Sequence, residues 1–329
     1  MNRREFLALA AAPLVVGALP AAARARGMGG TPVALVTADT QARVLAVEIG
    51  TRRVVRTIRT LPWPRSIESL HGLAGALVAH TEEGAVTLMD GLRVRRVLEG
   101  LAEPRYTALP PGGSGAWNDG LAYVTDSGRG ELVTLDVGRA RIVHRLDLGG
   151  PARHVTTDGL RLWAALGSKA SEIAVVGLER PRRPRLLGTL RPPWLAHDVA
   201  VAPGGATVWV TSGDRSEIAL FPPGAVTPRR VLPAGAPPQH VAFRDWGAAA
   251  GVAYVTSGAD GTLRTHGPDG RLLRAARVPV GSYNVTCSGS WVVSPSLDVG
   301  TLAVLDAAGE PVARVRLAPA AHDACVLVL

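Results

Sequence analysis

Lysine is nearly absent: Lys169 is the single lysine among 36 basic residues, and the arginines are scattered over all 329 positions. The formal charge of +9 is therefore not gathered into a basic tract. Its densest cluster, "ERPRRPR" at 179–185, alternates arginine with proline and has no aromatic residue interleaved to stack a base. That argues for a solvated loop and against nucleic acid as a partner. Cysteine is scarce as well, with only Cys287 and Cys325. No C-x-x-C-H haem attachment site and no cysteine-based zinc pattern can be built from them. Aromatic residues make up 4% of the chain, and no G-x-S-x-G nucleophile turn occurs. No apolar run reaches the roughly 20 residues that a membrane-spanning helix needs.

What is abundant is glycine (38) and proline (25), with valine and threonine in short clusters. This is the composition of many strands joined by tight turns. The first 25 residues stand apart from that pattern. "NRREFLALAAAPLVVGALPAAARA" places Arg3 and Arg4 before Phe6 and Leu7, then an alanine-rich apolar stretch, then small residues after which a peptidase could cut. It resembles a twin-arginine export signal, which implies a folded protein carried across the membrane to a periplasmic, wall-associated or extracellular location. The expected division is a signal at 1–25 and one domain at 31–329, with no transmembrane segment in the mature chain.

Within that domain a short apolar run recurs seven times: "ALVTAD" from Ala34, "ALVAHT" from Ala76, "AYVTDS" from Ala122, "LWAALG" from Leu162, "VWVTSG" from Val208, "AYVTSG" from Ala253 and "WVVSPS" from Trp291. The starts are 38 to 46 residues apart, the length of a four-stranded propeller blade. Each run is followed by a polar turn, an alternating strand such as "ELVTLDV" (131–137) and a basic strand such as "ARIVHRLDL" (140–148). A proline- or glycine-bearing link then leads into "RHVTTDG", "HDVAVAPGG", "QHVAFRD", "NVTCSGS" or "HDACVLVL". Four strands per cycle and seven cycles predict an all-β, seven-bladed β-propeller. The C-terminal "HDACVLVL" supplies the innermost strand of the blade that begins at "PVALVTAD". The segments 60–76 and 104–121 are degenerate, and "PPGGSGAWNDG" (110–120) reads as a turn insertion.

The cores "AYVTDSGRGELVTLD" and "HDVAVAPGGATVWVTSG" resemble YVTN-type, WD40-like β-propeller repeats across essentially the whole mature chain. The resemblance implies the fold and leaves the activity open, because propellers carry many unrelated functions.

In such a fold the links into the innermost strands and the turns after the second strands share one face, around the mouth of the central channel. His154, His197, His240, Asn284 and His322 fall on the first set, with Arg65 and Arg105 at the corresponding points of the degenerate blades. Asp39, His80, Asp126, Lys169, Asp214, Asp260 and Asp298 fall on the second. The ligand-binding candidates are His154, His197, His240, Asn284, His322, Asp126, Asp214 and Asp260. Imidazoles and carboxylates converging there could hold a polar ligand or a divalent metal, and a redox propeller housing copper or a quinone is a further possibility. Alternatively, each histidine only fixes its own turn. His197 and His322 stand two places before their strand's first apolar residue and His154 and His240 one place, so the four need not be equivalent. Asp198 and Asp323 point away from the histidines that precede them and are expected to serve the backbone. Trp63 and Trp194, each beside a proline, are candidates for an apolar wall at the face. Cys287 and Cys325 lie on neighbouring innermost strands, offset by one residue; an oxidising compartment would permit a disulfide, but the offset favours two buried thiols.

The leading expectation is an exported, monomeric, non-enzymatic propeller that binds a small ligand, an envelope component or a protein partner at its channel face. The alternative is a metal-dependent lyase or lactonase-like hydrolase resembling virginiamycin B lyase or the sugar-lactonase propellers. No catalytic residue is assigned.

Overall fold

A computed structural model describes residues 30–70, 74–110, 120–245, 247 and 250–329. The export segment lies outside the described residues, as does most of the 110–120 insertion. The chain forms seven four-stranded antiparallel sheets, with short 3-10 turns at Asp39–Gln41 and Pro203–Gly205 as the helical structure among the described residues. This is a seven-bladed β-propeller, as the repeat count requires.

The first blade is composite. β1 (Pro32–Ala38) pairs with β2 (Arg43–Glu48) on one side and with β28 (Ala321–Val328) on the other, and β3 (Arg53–Arg59) lies outermost. Leu35 is opposite Cys325 and Val33 opposite Leu327, so the two ends of the chain close the ring and leave no open edge between blades. The remaining innermost strands are β4 (Pro64–Leu70), β8 (Pro104–Ala108), β12 (Ala152–Thr157), β16 (Val199–Val201), β20 (Val241–Phe243) and β24 (Thr286–Ser288). With β28 they surround the channel.

The apolar residues form seven clusters, one between each pair of neighbouring blades. Leu77, Val86 and Leu88 of the second blade meet Val124, Val133 and Leu135 of the third, for example. The middle strands are buried on both faces and so read as almost continuous apolar runs. Outermost strands such as β3 and Arg93–Leu98 are exposed and arginine-rich. Much of the positive charge is therefore spread around the outer rim, where it also protects the free sheet edges from pairing.

The repeat's threonine has a definite task. Thr37, Thr125, Thr211 and Thr256 are completely buried, and each bonds the backbone of the innermost strand of its own blade or of the link that enters it. Thr125 Oγ1 also donates to the Arg153 carbonyl at 2.5 Å and Thr211 Oγ1 to the Gln239 carbonyl at 2.8 Å, each in the next blade. Thr256 makes the same link to the Tyr283 carbonyl. One buried hydroxyl thus satisfies two link residues that would otherwise leave polar groups unpaired. The tyrosines of "AYVT" do likewise at the other end: Tyr123 donates to Pro181 O and Tyr254 to Ala307 O, again one blade onward.

Trp194 is buried in the cluster between the fourth and fifth blades together with Trp163, so it packs the core and forms no apolar wall. Trp63 is exposed at the rim of a depression lined by Asp39, Gln41, Arg43 and Pro62. Cys287 and Cys325 are free thiols. Cys287 Sγ donates to the Phe243 carbonyl at 2.9 Å, and burial pushes the thiol up to about 12.

Candidate functional site

Aligned on their threonines, the links occupy two successive positions at the channel mouth. The first holds Arg65, Arg105, Arg153, His197, Gln239, Tyr283 and His322; the second holds Ser66, Tyr106, His154, Asp198, His240, Asn284 and Asp323. His154 and His240 belong to the second position and His197 to the first. Because the fifth blade stands between the fourth and sixth, this offset lets His197 reach the other two without duplicating either.

The three imidazoles converge. Each offers a ring nitrogen within 4.8 Å of the others. Their centroids lie 4.9 Å apart for His154 and His197, 4.5 Å for His154 and His240, and 5.5 Å for His197 and His240. The Tyr106 ring covers the cluster, 4.2 Å from His154 and 5.6 Å from His240. His154 is 1% exposed, and neither of its ring nitrogens has a partner at hydrogen-bond geometry, although the His197 backbone lies close.

Burial keeps His154 and His197 neutral. Burial, followed by the neighbouring His240 and His197, holds His154 well below the usual imidazole value. Burial and His240 lower His197 to about 4. Neutral imidazoles at pH 7 present free lone pairs, the state a metal requires. His240 Nδ1 lies 3.4 Å from Asp198 Oδ2, an arrangement that favours a proton on Nδ1 and leaves Nε2 as donor.

The donor set therefore fits a late first-row divalent ion, with a fourth position left open. Nitrogens around a tetrahedral ion stand about 3.4 Å apart, given metal–nitrogen distances of about 2.0–2.1 Å. The cluster must draw inward to reach that spacing, and the partly exposed His197 and His240 are the members with room to turn.

The remaining candidates have other partners. His322 Nδ1 is 2.8 Å from Asp39 Oδ2, and that oxygen is also 3.1 Å from Arg65. Asn284 Nδ2 donates to the His322 carbonyl at 2.8 Å. Asp126 accepts from the amides of Ala102 and Glu103 at 2.8 Å each and so fastens the link into the third blade. Asp214 is exposed, and Asp260 accepts from Thr262 Oγ1 and lies 3.5 Å from Arg264. None of these is in the imidazole cluster. His80 is tied at both nitrogens, to Pro62 O and Thr87 Oγ1.

Asp198 and Asp323 serve the backbone, as their place in the strand implies. Asp198 accepts from its neighbour Val199 at 2.7 Å and from Val241 of the next blade at 3.0 Å. Asp323 accepts from Ala324 at 2.9 Å and from Ile67 of the next blade at 3.0 Å. A cavity of about 220 Å³ is lined by His154 and His240 together with Glu68, Tyr106, Asp198 and Asp323 among others. Burial and then the Asp323 charge raise Glu68 to about 7. Sequence reasoning had not singled out Tyr106, Arg153 or Glu68; the first two could have been found by aligning the links on "PRY" and "ARH".

Seven four-stranded blades around a channel whose mouth carries three clustered imidazoles define a β-propeller with a candidate metal centre. No protein-family model matches the chain, and no curated protein matches it in sequence. Among solved structures, AztD from Citrobacter koseri is similar over 91% of this chain and 98% of its own, at 11% identity and a TM-score of 0.65. The apo form of AztD gives the same coverage and identity and a TM-score of 0.66. Kuenenia stuttgartiensis hydrazine synthase is similar over 78% of this chain and 92% of that one, at 12% identity and a TM-score of 0.60. At such identities the likeness concerns the fold. No helix among the described residues is long and apolar enough to cross a membrane.

Proposed function

We propose that this protein is an exported, non-enzymatic β-propeller that binds a late first-row divalent metal ion, of the zinc, cobalt or nickel class, through His154, His197 and His240. The observation that carries the reading is His154: a fully buried imidazole with two unpartnered nitrogens, facing two other imidazoles. A purely structural histidine would have its nitrogens paired, as His80 does. Leaving them bare costs about 1–3 kcal/mol per group, which a metal bond would offset. Export rests on the Arg3 and Arg4 signal.

The test is titration of chelator-stripped protein with Zn2+, Co2+ and Ni2+ by calorimetry, alongside Mg2+ and Ca2+. One equivalent of the first group binds and raises the melting temperature, and the hard ions do neither. His154→Leu abolishes binding yet leaves the metal-free protein as stable as the wild type or more so, because it removes a desolvated polar group. A wild type without stoichiometric binding, or a His154→Leu variant that binds unchanged, overturns the reading. The open fourth position favours one second reading, a metal-dependent hydrolase or lyase; metal-dependent turnover of an ester or lactone panel would establish it.

A further inference from the structure

Arg65, Arg105 and Arg153 come from the innermost strands of three consecutive blades, β4, β8 and β12. Each follows the first paired residue of its strand (Pro64, Pro104, Ala152) and lies within a register irregularity, between Pro64 and Ser66, Pro104 and Thr107, and Ala152 and Val155. Bulges of this kind re-aim a side chain relative to the ladder. The same device recurring in three neighbours brings three guanidinium groups to the channel mouth. The Nε atom of each is buried and has no hydrogen-bond partner.

Their compensation is unequal. Arg65 lies 3.1 Å from Asp39, which His322 shares, and Arg105 lies 3.2 Å from Glu103, a carboxylate half exposed at the rim. Among the described residues no carboxylate pairs with Arg153, and Tyr106 is the polar side chain beside it. β8 packs against both β4 and β12, so the three arginines are successive neighbours around the mouth. A guanidinium keeps its charge in proteins and offers donors in a planar fork that matches a carboxylate or a phosphate.

We infer that Arg153, flanked by Arg105 and Arg65, is the core of a binding site for a small oxyanion, a carboxylate or a phosphate, distinct from the imidazole cluster. The anion supplies the negative charge that Arg153 lacks and the acceptors that the guanidinium edges leave open. Tyr106 separates the two sites, its ring against His154 and its hydroxyl against Arg153.

The experiment uses chelator-stripped protein, so that its outcome is independent of metal binding. Inorganic phosphate, sulfate, acetate and citrate are titrated by calorimetry at low ionic strength against the wild type and the variants Arg153→Gln, Arg105→Gln and Arg185→Gln. Arg185 is an exposed rim residue paired with Glu179 and serves as the control. One anion binds per chain, Arg153→Gln weakens it about tenfold or more, Arg105→Gln weakens it less, and Arg185→Gln leaves it unchanged. Saturation by phosphate or sulfate alone assigns a phosphoryl-type ligand, and saturation by citrate or acetate alone a carboxylate. His154→Leu retains anion binding. Should Arg153→Gln fail to fold, Arg153→Lys, which keeps the charge and loses the fork, must still bind more weakly than the wild type. Absence of binding by all four anions, or affinity in Arg153→Gln equal to that of the control, overturns the inference.

Discussion

His197 and Asp198 in the fifth blade, and His322 and Asp323 in the first, are the same dipeptide at the same point of the repeat, yet only half of each pair behaves alike. The aspartates are interchangeable: one oxygen takes the amide that follows, the other the strand amide of the next blade. The histidines diverge. His322 is gripped by Asp39, whereas His197 turns toward His154 and His240. The cause is the residue two places after the repeat threonine. After Thr37 it is Asp39; after Thr211 it is Gly213, where a Cβ would come within 2.7 Å of the His197 Cβ. An identical local sequence therefore fixes the backbone, and a single turn position decides whether the imidazole is tethered or left as a ligand.

The largest effects should come from removing the shared half of the motif. Asp198→Ala and Asp323→Ala each strip two amides of their acceptor, one of them across a blade boundary. Each should lower stability by about 2–4 kcal/mol in denaturant melts. The comparison sharpens in the metal titration. Asp198→Ala should also cost about 10- to 100-fold in Zn2+ affinity, because Asp198 orients His240. Asp323→Ala, which orients no member of the cluster, should leave affinity within a few-fold of wild type.

Gly213→Ala attacks the unshared half. Gly213 has φ +70°, which an L side chain adopts with strain, and the new methyl would press on His197. A loss of about 1–3 kcal/mol is expected, with weaker Zn2+ binding as His197 is displaced. Unchanged affinity would show that His197 is not held by this contact. Asp39→Asn should cost less, about 1–2 kcal/mol, since the amide still reaches His322 but no longer neutralises Arg65. Its Zn2+ affinity should equal that of the wild type, which would confine the metal centre to the fifth-blade copy of the motif.

The ring, the blade boundaries and the closing strand were legible because each blade repeats the same apolar run, and a period survives local degeneracy. That explains why β4 and β8 form although segments 60–76 and 104–121 match the repeat poorly. The site was half legible. The repeat placed His154, His197 and His240 on one face, but counting residues before the strand made their offset look like an obstacle. In three dimensions the offset is what lets residues from adjacent blades meet. Asp126, Asp214 and Asp260 shared the turn position but not the cluster, because side-chain direction there depends on each turn's own hydrogen bonds. Arg153 was hidden by its neighbour: the link "ARH" was read for its histidine, although the same link in two other blades, "PRS" and "PRY", carries the arginine at the equivalent place.

The smallest effect concerns pH and sets the mouth of the channel against its interior, in metal-free protein. His197 titrates at about 4 when folded and at 6.5 as an ordinary imidazole. Between those values the unfolded chain binds more protons, so this contribution is complete above 6.5 and is lost as pH falls toward 4. Glu68 runs the other way. Its folded value is about 7 against 4.5, so the native state holds the extra proton; the contribution is complete below 4.5 and is lost as pH rises through 7. The two slopes should place maximal stability of the wild type in weak acid, with shoulders on the order of 1 kcal/mol once channel water screens the charges. Glu68→Gln should flatten the alkaline shoulder, and His197→Gln should make the acid one shallower without removing it, because buried His154 contributes there too, each leaving the other shoulder intact in melts from pH 4 to 8. A Glu68→Gln profile that still falls between pH 5 and 8 as the wild type does would assign that shoulder to another group.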